Sequence, residues 1–378
     1  IYIHIPFCKQ ACNYCNFHFS TSQRNVEELV NCLEKEILIR ASSHHKDIGI
    51  IEKDEPIQTI YFGGGTPSLL PASAIERLLN VINQNYNVPS DAEITLEANP
   101  DDLDKHKLQD LKSAGINRLS IGVQSFDEKD LVWMNRAHNA TQASQCIEWA
   151  QSAGFTNLSI DLIFGLPEMD DNRWLKNIIA AINTQVAHMA CYALTVEPKT
   201  PLQKLIRLNK KEPVNNERQA AQFSILMQTM SAAGYEHYEI SNFAKPGYRS
   251  KHNSSYWQGK KYIGIGPSAH SYNGDQRMWN VANNAAYIRS IQEGSIPFEE
   301  ETLTIQQKLN EEILTSIRTS EGIDIKKITA LYNLERAQQV MQNLQGVNSG
   351  HYTLKDDHII LTDAGKLFGD AISVQLFL

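Results

Sequence analysis

The sequence predicts an α/β fold: a partial (β/α) barrel followed by a small C-terminal α+β domain of winged-helix-like order. Three observations carry this. From the start to about residue 240, short β-rich apolar runs alternate with amphipathic stretches, the order of parallel β/α units. Gly115, Gly154 and Gly234 each follow a helical pattern and precede a strand pattern, where a C-terminal cap belongs. From about Thr302 the texture changes to helical patterns followed by a pair of alternating strands.

Taken in order, the strand candidates are residues 2–5, 58–62, 93–97, 118–123, 159–164, 189–194 and 235–240. Between them lie helical patterns at 27–39, 72–84, 103–114, 143–153, 174–183 and 218–232. At least six such units suit an open or closed barrel better than a short doubly wound sheet, and eight units are not present, so the barrel is expected to be partial. Residues 241–300 read as a loop-rich, aromatic extension packed on this 1–240 core, punctuated by Gly247, Gly259, Gly264, Gly266 and Gly274. Residues 301–378 form the third unit, with helical patterns at 306–319, 325–332 and 334–344. A strand pair at 351–355 and 358–362 follows, across Asp356-Asp357, with a last helix from about Asp363.

The composition is that of an ordinary globular chain, with 42% hydrophobic and 21% charged residues in 378. A net charge of −8 argues against a broad grip on nucleic acid while leaving room for a local basic pocket. No apolar run approaches the roughly 18 residues of a membrane helix. The opening Ile1-Tyr2-Ile3-His4-Ile5-Pro6 is too short and uncharged for a signal peptide, and without Met it implies a few preceding residues. Six cysteines, with Cys32, Cys146 and Cys191 scattered in apolar segments as buried free thiols, fit a reducing compartment and a cytoplasmic location.

The other three cysteines carry chemistry. Cys8, Cys12 and Cys15 form C-x3-C-x2-C on the loop after the first strand. A zinc site usually wants a fourth ligand in paired C-x2-C spacing, and a ferredoxin-type cluster wants a fourth nearby cysteine. His18 is the only extra candidate nearby. Three thiolates on one loop leave one iron of a cubane open to bind and activate a ligand. A chance grouping or a structural zinc is the alternative on spacing alone.

This motif after a first strand resembles the signature of the radical SAM superfamily. The resemblance implies a [4Fe–4S] cluster on Cys8, Cys12 and Cys15, with S-adenosylmethionine (SAM) chelating the open iron. Tyr14 matches the aromatic placed near the adenine. Gly63-Gly64-Gly65-Thr66-Pro67 follows the second strand; alone such a triplet is more often a tight turn, though it also lets backbone approach a ligand and donate its N–H groups. One β/α unit after the cysteines, it resembles the family's glycine motif.

Further stretches resemble the oxygen-independent coproporphyrinogen III oxidase branch: Tyr2-Ile3-His4-Ile5-Pro6-Phe7-Cys8, Glu97-Ala98-Asn99-Pro100, Gly122-Val123-Gln124-Ser125-Phe126, Asn135-Arg136 and Asp161-Leu162-Ile163-Phe164-Gly165-Leu166-Pro167. The resemblance covers essentially the whole chain. It implies SAM contacts from Tyr2, Gly64, Gly65, Thr66, Glu97, Gln124, Arg136 and Asp161. The residue chemistry agrees, since carboxylates accept from ribose or ammonium and an arginine pairs with a carboxylate. For each residue alone, a structural hydrogen bond or salt bridge explains it as well.

Within this branch the oxidase decarboxylates coproporphyrinogen III, and typically has a further cysteine two residues after the third and an extension ahead of the cluster strand. Here that position is Phe17, and the strand starts at Tyr2. The other subgroup, the HemW-like heme chaperones, has Phe there and a His-Asn-x-x-Tyr-Trp motif, matched by His252-Asn253-Ser254-Ser255-Tyr256-Trp257. The resemblance thus implies a heme chaperone, with heme passed to apo-proteins such as respiratory ones and an electron donor for the cluster; the oligomeric state stays open, with a homodimer as one candidate. His252 is the expected heme ligand, with Arg249, Lys251 and Lys260 facing propionates; an ordinary loop histidine is the alternative. His270 ranks second.

Overall fold

A computed structural model describes residues 1–42 and 55–378. The core alternates as read: β1 (Tyr2–Ile5), α1 (Val26–Ala41), β2 (Thr59–Gly64), α2 (Ala72–Asn85), β3 (Glu93–Ala98), α3 (Lys105–Ser113) and β4 (Arg118–Gln124). It continues with α4 (Glu128–Met134), α5 (Ala140–Ser152), β5 (Asn157–Phe164), α6 (Asp171–Asn183), β6 (His188–Ala193), α7 (Pro201–Arg207) and α8 (Asn216–Ala232). Strands β1 to β6 pair in parallel and in chain order, and β1 and β6 do not meet, so the barrel is partial.

The helices form for legible reasons. In α2, Ala74, Ile75, Leu78, Leu79 and Ile82 are buried at helical spacing, one apolar stripe against the sheet. Leu78 is fully buried, so truncating it to Ala is worth about 2–5 kcal/mol. Helix α5 opens on a reciprocal capping box between Asn139 and Gln142. Gly154 ends the turn after α5 at φ 83°, a conformation that a Cβ disfavours.

Two expectations are corrected. Residues 235–240 do not add another parallel strand. β7 (Glu236–Glu239) and β8 (Asn242–Ala244) form an antiparallel hairpin, and β8 pairs antiparallel with β6. Only Ile240 and Ser241 separate the two strands, far too little chain for a parallel crossover. The hairpin therefore bridges the 240 boundary. Nor is 241–300 merely loop-rich. It holds α9 (Lys251–Trp257), β9 (Gly264–Ile265), β10 (His270–Tyr272), β11 (Gln276–Asn280) and α10 (Asn284–Gln292). With β12 (Phe298–Thr302), β10 and β11 make a three-stranded antiparallel sheet. β9 extends the main sheet by pairing in parallel with β1. At two residues it is too short for a propensity reading, and its Gly264 is required there because a Cβ would lie 2.0 Å from the His270 carbonyl oxygen.

Beyond this lie α11 (Ile305–Ser316), β13 (Ile323–Asp324), α12 (Ile325–Tyr332), α13 (Leu334–Leu344), β14 (Tyr352–Lys355), β15 (His358–Leu361), α14 (Asp363–Lys366) and α15 (Gly369–Leu376). The sheet order β13-β15-β14 behind three helices is the winged-helix-like arrangement. Asp356 and Asp357 both take positive φ, 51° and 64°, as a type I′ hairpin turn requires. Leu309, Ile313, Val340, Ile359 and Leu376 belong to a second hydrophobic core, separate from the one formed by the barrel. Among the described residues no helix is long and apolar enough to cross a membrane.

Candidate functional site

The carboxyl ends of the parallel strands converge on one cavity of about 390 Å³. The loop after β1 brings Cys8, Cys12, Tyr14 and Cys15 to it, and the end of β2 brings Gly64, Gly65 and Thr66. Glu97 comes from β3, Gln124 from β4, Arg136 from the turn after α4, and Asp161 from β5. Eleven of the thirteen residues singled out from the sequence thus share one wall; Tyr2 and His252 do not.

The cysteine loop is fastened from both sides. The Asn13 N–H donates to Met134 O at 3.2 Å and its side chain to Trp133 O at 3.0 Å. Asn135, held at φ 60°, donates to Ala11 O at 2.8 Å. Lys9 pairs with Asp101 at 2.9 Å and with Asp102. All three cysteines are free thiols. Burial pushes the Cys8 thiol up to about 11, partly opposed by the Thr66 hydroxyl 3.5 Å away, and burial likewise raises Cys15. Among the described residues no three His, Cys, Asp or Glu side chains are gathered at the spacing of a single metal ion. A polynuclear cluster asks for a wider spacing, because each thiolate takes a different iron.

Arg136 organises the floor. One terminal nitrogen donates to the Cys12 sulfur at 3.3 Å and to the Tyr14 hydroxyl at 3.4 Å. The other donates to Asn99 Oδ1 at 2.7 Å and to Gly122 O at 2.9 Å. Its Nε is buried without a partner, a donor left over for a ligand anion. The same cavity holds two half-buried carboxyls. Burial pushes Glu97 up to about 7; the Asp161 charge adds to this, while bonds from the Tyr61 hydroxyl (2.8 Å) and the Gly64 N–H (3.2 Å) oppose it. Burial pushes Asp161 up to about 6, against the pull of the Ser120 hydroxyl at 3.2 Å. A cationic ligand group beside these carboxyls would hold both ionised. Ile163, Tyr192 and Leu194 supply an apolar wall. Three free thiols, an orphaned guanidinium donor and two raised carboxyls suit an amino-acid zwitterion bound beside a thiolate-held cluster.

The glycine loop works differently from its expected role as a donor. The Gly64 N–H already serves Glu97, and the Gly65 N–H donates to Ile5 O at 2.9 Å. What the glycines provide is close approach: a Cβ at Gly65 would lie 2.6 Å from Phe7 O, and one at Gly64 would lie 2.7 Å from the His4 ring. Gln124, at φ 64° beside a register shift in β4, is a non-glycine residue held in the left-handed region. Such a conformation costs roughly 1–2 kcal/mol and is kept where the surroundings demand it. Asn99, which links Arg136 to the Thr66 hydroxyl at 3.2 Å, is a site residue the sequence reading did not single out. Its place between Glu97 and Pro100 was the available signal.

His252, the expected heme ligand, lies at the other end of the strands from the cysteine cavity. It is 2% exposed in α9, which plugs the amino-terminal end of the barrel. Its Nδ1 meets the Thr59 hydroxyl at 2.7 Å and its Nε2 the Tyr256 hydroxyl at 3.0 Å, so neither nitrogen is free. Its ring stacks on Tyr61 at 4.7 Å. The Glu93 carboxylate accepts from the N–H groups of His252 (3.0 Å) and Lys251 (3.1 Å) at the start of this helix. Arg249 and Lys251 are engaged as well, with Glu236 and Glu321 and with Asp91 respectively. Tyr2 stands beside this layer, stacked on Tyr61 with its hydroxyl 3.1 Å from His4 Nδ1. His270 is exposed on β10.

Comparison with known proteins agrees with this geometry. Residues 2–178 match the radical SAM superfamily model. The heme chaperone HemW of Bacillus subtilis (strain 168) is 35% identical, covering 98% of this chain and 97% of its own. That of Escherichia coli (strain K12) is 31% identical over 100% of this chain and 97% of its own. The Danio rerio protein named radical S-adenosyl methionine domain-containing protein 1, mitochondrial, is 32% identical over 94% and 82%. Among solved structures, coproporphyrinogen III oxidase (HemN) from Escherichia coli superposes with a TM-score of 0.83 over 100% of this chain and 89% of its own, at 22% identity, which shows a shared fold. The chain belongs to the radical SAM superfamily, within the family of proteins named heme chaperone HemW.

Proposed function

We propose that this protein is a heme chaperone built on a radical SAM core, which binds heme and delivers it to apo-proteins. The observation that carries the reading is identity of 30–35% along essentially the full chain to several proteins named for that role. Phe17, two residues after Cys15, supports it, since a fourth cysteine there would mark the oxidase. In this reading Cys8, Cys12 and Cys15 would hold a [4Fe–4S] cluster, with SAM bound beside it. When bound, the cluster supplies one-electron chemistry to the SAM sulfonium.

The chain's own residues position the ligand. Arg136 pairs with the SAM carboxylate through its spare donor. Glu97 and Asp161 accept from the ammonium and the ribose, and Gln124 and Thr66 complete the polar wall. Tyr14 lies beside the adenine, while Gly64 and Gly65 let backbone come close. Heme-receiving partners are apo-proteins, respiratory ones among them, an electron donor feeds the cluster, and the working form is a cytoplasmic homodimer.

The test is anaerobic reconstitution followed by titration with hemin, reading the Soret band, alongside coproporphyrinogen III turnover with SAM and a reductant. Tight heme binding, transfer to an apo-protein and no decarboxylation are expected. Decarboxylation without stable heme binding would overturn the reading in favour of the oxidase.

A further inference from the structure

A second cavity, of about 510 Å³, lies between the barrel and the C-terminal unit, remote from the cysteines. Its walls come from the end of α9, from β10 and β11, and from α11 and α12. The volume falls within the roughly 300–1,000 Å³ that enclose a drug-sized ligand. We propose that this interdomain cavity is the heme site: it takes a flat, dianionic tetrapyrrole, stacked on tyrosines and held by its carboxylates. The inference rests on the heme-chaperone reading and assigns that function a place.

Three features carry it. The first is aromatic. Tyr262 and Tyr272 face one another across a backbone bridge with ring centroids 6.0 Å apart, and Tyr332 enters from α12. Tyrosines offer broad π faces and a polar edge, the combination that suits a porphyrin rim.

The second feature is charge. Lys260, Arg277, Lys308 and Lys327 line the cavity together with Glu311 and Glu312. Arg277 pairs with Glu311 at 2.8 Å and Glu301 at 3.6 Å, Lys327 with Glu312 at 2.6 Å, and Lys308 with Asp275, so three of the four cations are already engaged. Lys260 is exposed and makes no ion pair among the described residues, so it is free to meet a propionate.

The third feature is room. The cavity at the cysteines is lined by the thiols and carboxyls read as holding a cluster and SAM, whereas this one shares none of that lining. It also accounts for α9. The helix seals the barrel with His252 on one side, and its C-terminal end, Gln258-Gly259-Lys260, forms the lip of this cavity. Among the described residues no histidine, cysteine or methionine lines it, so recognition falls to the ring plane and the carboxylates.

The test titrates hemin and metal-free protoporphyrin IX into the full-length reconstituted protein and three variants. Lys260→Glu reverses the free cation, Thr315→Trp fills the cavity from α11, and Leu354→Asp, at an exposed position on β14 outside both cavities, is the control. Circular dichroism and iron content confirm that each variant is folded and loaded. Expected are at least tenfold weaker binding of both probes in Lys260→Glu and Thr315→Trp, with Leu354→Asp like wild type. Wild-type heme binding that survives both cavity changes overturns the inference and leaves the chaperone reading standing. A wild type that binds no heme overturns the chaperone reading itself.

Discussion

The Arg136 guanidinium reaches the Cys12 sulfur at 3.3 Å while its second terminal nitrogen is anchored on Asn99 at 2.7 Å. One side chain thereby ties the cysteine loop to the ends of β3 and β4, with its Nε still unpaired. Replacing Arg136 with Lys keeps the charge and loses the fork. SAM affinity of the reconstituted protein should fall roughly 10–100-fold, the equivalent of about 1.5–3 kcal/mol for hydrogen bonds to a charged group. Calorimetry with SAM, at matched iron content, measures it; unchanged affinity removes Arg136 from the SAM site.

Glu97 makes stability depend on pH. Its carboxyl rises from 4.5 to about 7 on folding, so the folded state holds the proton more tightly than the unfolded chain does. That contribution is full below the unfolded value and is lost as pH rises through about 7, leaving a half-buried carboxylate that costs roughly 3 kcal/mol. Asp161, raised to about 6, acts in the same sense at lower pH. In ligand-free protein, Glu97→Gln should therefore be more stable than wild type at about pH 8 and indistinguishable at about pH 4. Denaturant midpoints across that range decide it, and a constant difference would count against a buried titrating carboxyl.

The six cysteines should separate into two groups. Cys12→Ala should lose most of the iron and the charge-transfer absorbance after reconstitution, because two thiolates hold a cubane poorly. Cys191→Ala, at a fully buried β6 position away from the cavity, should keep both and lose only packing stability. Equal iron loss in the two would mean that the C-x3-C-x2-C loop is not the ligand set.

At the amino-terminal end of the barrel, Glu93 and Arg118 are 5% and 1% exposed, with 3.9 Å between charged atoms. Glu93→Ala leaves Arg118 buried without its counter-charge and frees two helix N–H groups of α9. A loss of about 3–5 kcal/mol is expected, partly restored by adding Arg118→Met. Chemical denaturation of the single and double variants measures both; a neutral Glu93→Ala would contradict the plug.

His252→Ala leaves the Thr59 and Tyr256 hydroxyls without their shared partner and removes a ring stacked on Tyr61. We expect a stability loss of about 2–4 kcal/mol. Heme binding that disappears in this variant with no change in unfolding midpoint would sink the structural placement of His252 and restore it as a ligand.

Much of the site was legible because it is written locally. The C-x3-C-x2-C spacing, the glycine loop after the second strand and the acidic residues near strand ends each sit within one β/α unit. Given the order of units, parallel pairing brings their carboxyl ends together and the cavity follows. Less was legible where partners are distant. His252 reads as a loop residue because its hydrogen-bond partners, Thr59 and Glu93, lie 193 and 159 residues away. The hairpin at β7 and β8 looked like another parallel strand because strand propensity carries no direction.

Periodicity and motif spacing alone, then, determined the order of β/α units, the three-thiol loop and the small helical domain with its two-residue hairpin turn. Only the tertiary structure decided which polar groups neutralise one another. It turned Arg136 toward Cys12, spent the glycine N–H groups on Glu97 and Ile5, and sealed His252 beneath the barrel. The reason is physical: helix and strand patterns are set by neighbours along the chain, whereas a buried polar group must find its partner wherever the fold delivers one.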